Sequence, residues 1–200
     1  WELKLGYDRM WNGHQLSVAA LYRQEMEESL GVNVSWYRHS IMGVASYNFR
    51  NKYLVDVVAN KYGTSVLLKG DKYRFYPAVS AAWVLSNETF FKEQSIVDFM
   101  KLRFSYGRSA VDNLAYGLGK HFWSGKGQYF FGDSNTEMDG YMERKLPMRT
   151  LELETADKYN VGLDLLLFKN LSFTADMYYD RRTNILVSNK KVSSMIGIEV

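Results

Sequence analysis

No cysteine occurs in the 200 residues, which excludes a disulfide framework and any thiolate metal site. Proline occurs only twice, too rarely for a disordered linker. No window approaches the roughly 18 uninterrupted apolar residues of a membrane-spanning helix. That exclusion leaves membrane barrels untouched, because their strands carry a much weaker hydropathy signal. Blocks of one charge sign are missing as well. The net charge is +3 with basic and acidic residues interspersed, so nothing points to nucleic acid. A signal-like leader is not seen and the first residue is Trp1, so we expect a piece of a larger mature protein.

What is present is aromatic residues, 16% of the chain with 15 tyrosines, and period-two alternation. The clearest case is Tyr159 to Asp180, read as two strands joined at Lys169-Asn170. Leu171, Phe173, Ala175, Met177 and Tyr179 alternate with Ser172, Thr174, Asp176, Tyr178 and Asp180, giving one apolar and one polar face. Each run is about ten residues, enough for a tilted strand to cross a bilayer. A hairpin leaves its outer backbone groups unpaired and so must belong to a larger sheet.

Earlier segments repeat the pattern. Strands are expected over Glu2–Met10, Gln15–Met26, His39–Phe49, Tyr53–Tyr62, Lys72–Ser86 and Asp98–Ser109. Asn12-Gly13 and Arg50-Asn51-Lys52 read as tight turns. Pro77 marks a bulge or irregular end inside its strand. Asn87 reads as the N-cap of a short helical turn, with Phe90, Phe91 and Gln94 on one side. Glu27–Arg38, Gly63–Asp71 and Ala110–Thr150 read as longer connections. Short turns then fall on one rim and long loops on the other, as in an outer-membrane barrel. Tyr7, Trp11, Tyr22, Tyr47, Tyr53, Tyr62, Tyr106 and Tyr179 sit near strand ends, where interface girdles lie. Soluble β-sandwiches and lectin-like domains also alternate, so a soluble all-β carbohydrate-binding module is a second reading. A small eight-stranded outer-membrane adhesin or structural barrel is a third.

Residues able to do chemistry are few. His14, His39 and His121 have no metal-ligand spacing. Asp164, Asp176 and Asp180 share a polar face, and a wetted wall explains them more simply than an acid–base pair. Gly117–His121 and Gly125–Gly127 lack the strand–helix setting of a phosphate loop. No catalytic residue, metal or cofactor is assigned. The long connection Ala110–Thr150 is the candidate binding element. Its Tyr116, His121, Trp123, Tyr129 and Phe131 with Asp133, joined by Phe122, Phe130, Asn135 and Asp139, suit sugar rings or peptide side chains.

The run KYRFYPAVSAAWVLSNETFFK, Lys72 to Lys92, resembles the SusC/RagA family of TonB-dependent outer-membrane transporters. Tyr76, Pro77, Val79, Ser80, Ala82 and Trp83 fill its Phe-Pro-x-Val-Ser-x-Ala-Trp pattern, with Tyr76 in place of Phe, and Phe91 ends the short segment that follows it. MKLRFSYGRSAVDN (Met100–Asn113), LELETADKYNVGLDLLLFKNLSFTADMYYDRRTNIL (Leu151–Leu186) and SYNFRNKYLVDV (Ser46–Val57) extend the resemblance in order. NKYGTS at Asn60–Ser65 departs from the family's Arg-Arg-Asp-Gly-Ser-Ser. The resemblance implies an all-β, antiparallel, up-and-down transmembrane barrel of about 22 strands, with residues 1–200 supplying about eight. A lumen plug, a TonB-contacting segment and terminal strands would lie outside them. It implies an integral cell-outer-membrane protein that imports oligosaccharide or peptide, with a SusD-like surface lipoprotein as lid and TonB acting through the plug. No enzymatic step is expected.

Overall fold

The computed structural model describes residues 1–29, 34–67, 72–91, 96–112, 118, 121–145, 147–148 and 150–187. Ten strands form among these residues: β1 Glu2–Trp11, β2 His14–Ser29, β3 Val34–Phe49, β4 Tyr53–Thr64, β5 Tyr73–Val84, β6 Val97–Val111, β7 Phe122–Phe131, β8 Thr136–Lys145, β9 Glu154–Leu167 and β10 Leu171–Thr183. Eight make one sheet in the order β1-β2-β3-β4-β5-β6-β9-β10, every pair antiparallel. Neighbours in sequence are neighbours in space, apart from β7 and β8, which pair with each other. Among the described residues β1 and β10 each have a single neighbour, so the eight strands do not close on themselves.

The turns follow from local chemistry. Asn12 and Gly13 both take positive φ, 44° and 84°, as a two-residue hairpin turn requires. Arg50 and Asn51 (51°, 54°) do the same, and Phe168 and Lys169 (53°, 60°) open the last turn. That turn is therefore one residue longer than the sequence suggested. Asp98 Oδ2 accepts from the Lys169 amide at 2.6 Å and ties it to β6.

Several expectations need correction. β2 and β3 run through most of Glu27–Arg38, paired from His14↔Phe49 to Ser29↔Val34. The backbone ladder continues there although apolar alternation has faded. Pro77 causes no register shift against β4, where it faces Ala59. Pairing to β6 ends one residue away, at Ala78↔Gly107, consistent with a residue that has no N–H to donate. Asn87 is the last residue of a 3₁₀ turn, Leu85–Asn87, that Val84 precedes. Its side-chain Nδ2 donates to the Asn51 carbonyl at 2.7 Å, and it is not the N-cap of that turn. Gln94 lies outside the described residues.

The register assigns each side chain to a face. One face carries Leu5, Val18, Ala45, Val57, Val79, Phe104, Val161 and Met177. Phe173 is 52% and Met177 73% exposed, so these rows line no closed core, as a soluble module would require. Trp11, His14, Phe49, Tyr53 and Trp83 form a continuous belt on this face at the short-turn rim, with successive centroids 5.3, 4.5, 6.4 and 6.3 Å apart. Tyr106, Tyr159 and Tyr179 form a second belt toward the other rim, at 4.9 and 6.2 Å. From Tyr53 to Lys61, β4 climbs roughly 20 Å of depth, at about 3.3 Å per residue and about 40° of tilt. That is close to the apolar band of about 25 Å in outer-membrane barrels. Tyr62 is an exception among the expected girdle residues. It lies on the opposite face, tilted against Tyr76 at 6.3 Å.

Candidate functional site

The face opposite the apolar rows holds one row drawn from all eight strands. Asp8, Ser17, Ser46, Asp56, Ser80, Ser105, Asn160 and Tyr178 are consecutive cross-strand partners. The row one step toward the long-loop rim is Gly6, Ala19, Val44, Val58, Ala78 and Gly107, then Lys158 and Asp180. Small side chains beside short polar ones make a shallow hydrated track. Ser80 Oγ donates to Asp56 Oδ2 at 3.0 Å; the rest of the row forms no side-chain hydrogen bond among the described residues. A trough of about 700 Å³ lies over its β4–β10 part, lined by Asp56, Ser80, Ser105, Asn160 and Tyr178 among others. Sequence reading missed this row, because a single strand shows only alternation and the row exists only through register.

Two arginines on this face are matched to carboxylates. Arg103 donates through Nε and Nη2 to the two oxygens of Asp164 at 2.8 and 3.0 Å, and through Nη2 to Asp176 at 3.2 Å. Two of the three expected carboxylates are thus held by one guanidinium, the reverse of a free acid–base pair. Nearer the long-loop rim, Arg38 donates to Asp112 at 2.9 Å and to Glu27 at 3.1 Å, and the Tyr62 hydroxyl donates to the same Asp112 oxygen. Beside them Leu67, Tyr76, Leu151 and Leu153 form the apolar cluster, with Leu153 only 2% exposed. Segments flanking the strands therefore fold inward over this end of the sheet, on the polar side.

The candidate binding element is a hairpin where the sequence suggested an unstructured excursion. β7 and β8 pair from Phe122↔Lys145 to Phe131↔Thr136, with register shifts near Trp123 and between Gly125 and Gln128. Those irregularities and the glycines hid the alternation. Trp123, Tyr129, Phe130 and Phe131 are all exposed, 54–62%. Tyr129 pairs with Met138, and its ring lies over Gly140, where any side chain would collide with it. Asp133 sits in the turn between Gly132 and Asn135, closed by the Asn135 amide on the Gly132 carbonyl at 3.2 Å. His121 Nδ1 is 2.5 Å from Glu143 Oε1, so it is partnered at the hairpin base. Tyr129 and Phe131 are two residues apart and share a strand face, whereas Phe130 takes the other. Tyr116 lies outside the described residues. No group of metal-binding side chains occurs among the described residues.

An antiparallel sheet with an exposed apolar face, two aromatic belts and a polar inner face defines the wall of a transmembrane β-barrel. No family model matches the sequence. TonB-dependent receptor P26 of Formosa agariphila is 30% identical over 166 residues, 79% of this chain and 16% of that protein. TonB-dependent receptor SusC of Bacteroides thetaiotaomicron is 24% identical over 165 residues, 76% of this chain and 15% of that protein. The chain thus spans about one sixth of the length of the curated relatives it matches. Among solved structures, the RagAB peptide transporter superposes with a TM-score of 0.79 over 99% of this chain and 25% of that one. At 14% identity that likeness is one of fold. The barrel wall described here is that of a SusC/RagA-like TonB-dependent receptor.

Proposed function

We propose that residues 1–200 contribute an arc of wall to an outer-membrane TonB-dependent importer of oligosaccharides or peptides. The carrying observation is the division of the sheet into an exposed apolar face bounded by aromatic belts and a face whose central row is wholly polar. The first suits hydrocarbon and the second a wetted bore. In this reading β1 and β10 each pair with further strands of a barrel of about 22. A plug outside residues 1–200 would gate the bore through TonB. A SusD-like lipoprotein would sit on the long-loop rim, to which the β7–β8 hairpin belongs. The hairpin's Trp123, Tyr129 and Phe131, with His121, Asp133 and Tyr116, would meet the substrate there. The wall itself performs no reaction.

The likeness to the RagAB peptide transporter supports transport, and the curated relatives, TonB-dependent receptors by name, leave the substrate class open. The test is a deletion of the parent gene followed by uptake of labelled oligosaccharide and labelled peptide, with complementation. Loss of one uptake, restored by the gene, supports the reading. Unchanged uptake of both, with the protein absent from the outer-membrane fraction, overturns it.

A further inference from the structure

Two arginines at the short-turn rim are held against the aromatic belt and have no acidic partner among the described residues. Arg9 shares the apolar face with Trp11, and its guanidinium carbon is 5.5 Å from the Trp11 ring centroid. Arg50 stands 5.1 Å over Phe49. Its backbone takes φ 51° and its amide donates to the Gly13 carbonyl at 2.7 Å. Its side chain then crosses the neighbouring turn: a Cβ on Gly13 would fall 2.8 Å from Arg50 Cγ and 3.4 Å from Nε. Gly13 is thus required both for its own positive φ and to let this arginine pass. The rings beneath the two guanidinium groups are linked through His14, which stacks on Trp11 and is tilted against Phe49.

The neighbouring cation behaves differently. Lys52 is paired to Glu88 at 2.8 Å. Arg9 and Arg50 take part in no ion pair among the described residues, although the chain pairs its arginines with carboxylates elsewhere on the sheet. A guanidinium lying on a ring keeps its N–H edge free, and that edge fits a phosphate in a two-pronged fashion. Aromatic belts mark the depth of lipid headgroups.

We infer that Arg9 and Arg50, on the contiguous Trp11, His14 and Phe49 rings, form a binding site for the phosphate headgroup of an anionic phospholipid in the leaflet at the short-turn rim. The inference rests on the membrane reading proposed above. The rings pack on the glycerol and upper acyl region while the two cations hold the headgroup. A basic residue at such a surface is worth about a fivefold change in binding.

The test uses the full-length parent protein in a nonionic detergent. Native mass spectrometry would compare adducts of phosphatidylglycerol with those of phosphatidylethanolamine carrying the same acyl chains. The wild type is expected to retain phosphatidylglycerol preferentially, and Arg9→Gln with Arg50→Gln to bring the two lipids to parity. The single variants, each expected to lower the preference about fivefold, keep the test open should the double variant misfold. Gly13→Val, which displaces Arg50, is expected to match Arg50→Gln. An undiminished preference in the folded double variant, or equal binding of both lipids by the wild type, overturns the site while leaving the membrane reading intact. A parent protein that is monodisperse without detergent and retains neither lipid removes the membrane reading as well.

Discussion

The Arg103 guanidinium lies directly over Gly162: a Cβ there would come within 2.8 Å of both Arg103 Cζ and Nη2. The two residues are cross-strand partners in one row, with Asp176 next along it. The bare backbone of β9 is what lets one arginine on β6 reach a carboxylate on β10. Gly162→Ala is expected to push the fork off Asp176 and lower the melting temperature of the detergent-solubilised parent protein. Adding Arg103→Ala to that variant should lower it by less than Arg103→Ala lowers the wild type, since both changes break one contact. Strictly additive losses would contradict the arrangement.

The facing assignment sets a large asymmetry between adjacent residues of β10. Phe173→Arg places a charge in hydrocarbon and is expected to cost about 2–4 kcal/mol of folding into lipid vesicles near the bilayer centre. Thr174→Arg puts it on the polar face and should cost far less. Denaturant titrations of the two variants in vesicles measure the difference; equal losses would mean that the faces are assigned wrongly.

Glu88 gives a pH signature at the short-turn rim. Its carboxylate accepts from Lys52 Nζ at 2.8 Å, from the Tyr53 hydroxyl at 2.7 Å and from Trp83 Nε1 at 3.3 Å. These donors, Lys52 foremost, hold its pKa below the ordinary 4.5. A depressed folded-state pKa adds stability that is complete above the unfolded value and is lost as pH falls through the folded one. The melting-temperature gap between wild type and Glu88→Gln should therefore be constant from neutral pH down to about 4.5 and close below it. A gap that persists or widens in more acidic buffer would rule the clamp out.

Hairpin β7–β8 carries the substrate proposal. If Trp123 and Tyr129 touch the solute, alanine at either should weaken uptake affinity by about tenfold, the scale of losing an anchoring aromatic contact. Surface expression should be unchanged. Normal affinity in both variants would take the hairpin out of the substrate path.

Much of this fold was legible in the sequence because the bilayer imposes period two on each strand independently. Leu171 to Asp180 shows it unaided, and the alternation of short and long connections gave the two rims. Three things were not legible. The ends of β2 and β3 carry Glu25, Glu27, Glu28 and Arg38, so pairing persists there without apolar periodicity. The β7–β8 hairpin has register shifts beside Gly125, which scramble the alternation, so a strand pair read as a loop. The polar row from Asp8 to Tyr178 depends on how eight strands are staggered, and no one strand records that. The aromatics of the candidate binding element were found as residue types, yet their exposure on an unburied hairpin could come only from coordinates.

Adjacent residues of these strands look into different solvents. Residues 1–200 contain no cysteine, so single spin labels within them are readily placed on the parent protein in vesicles. Labels at Val79, Phe104 and Phe173 are predicted to collide preferentially with oxygen dissolved in the bilayer. Labels at Ser80, Ser105 and Thr174 should show no such preference. Oxygen accessibility that does not alternate along these three pairs would mean that both faces meet the same solvent.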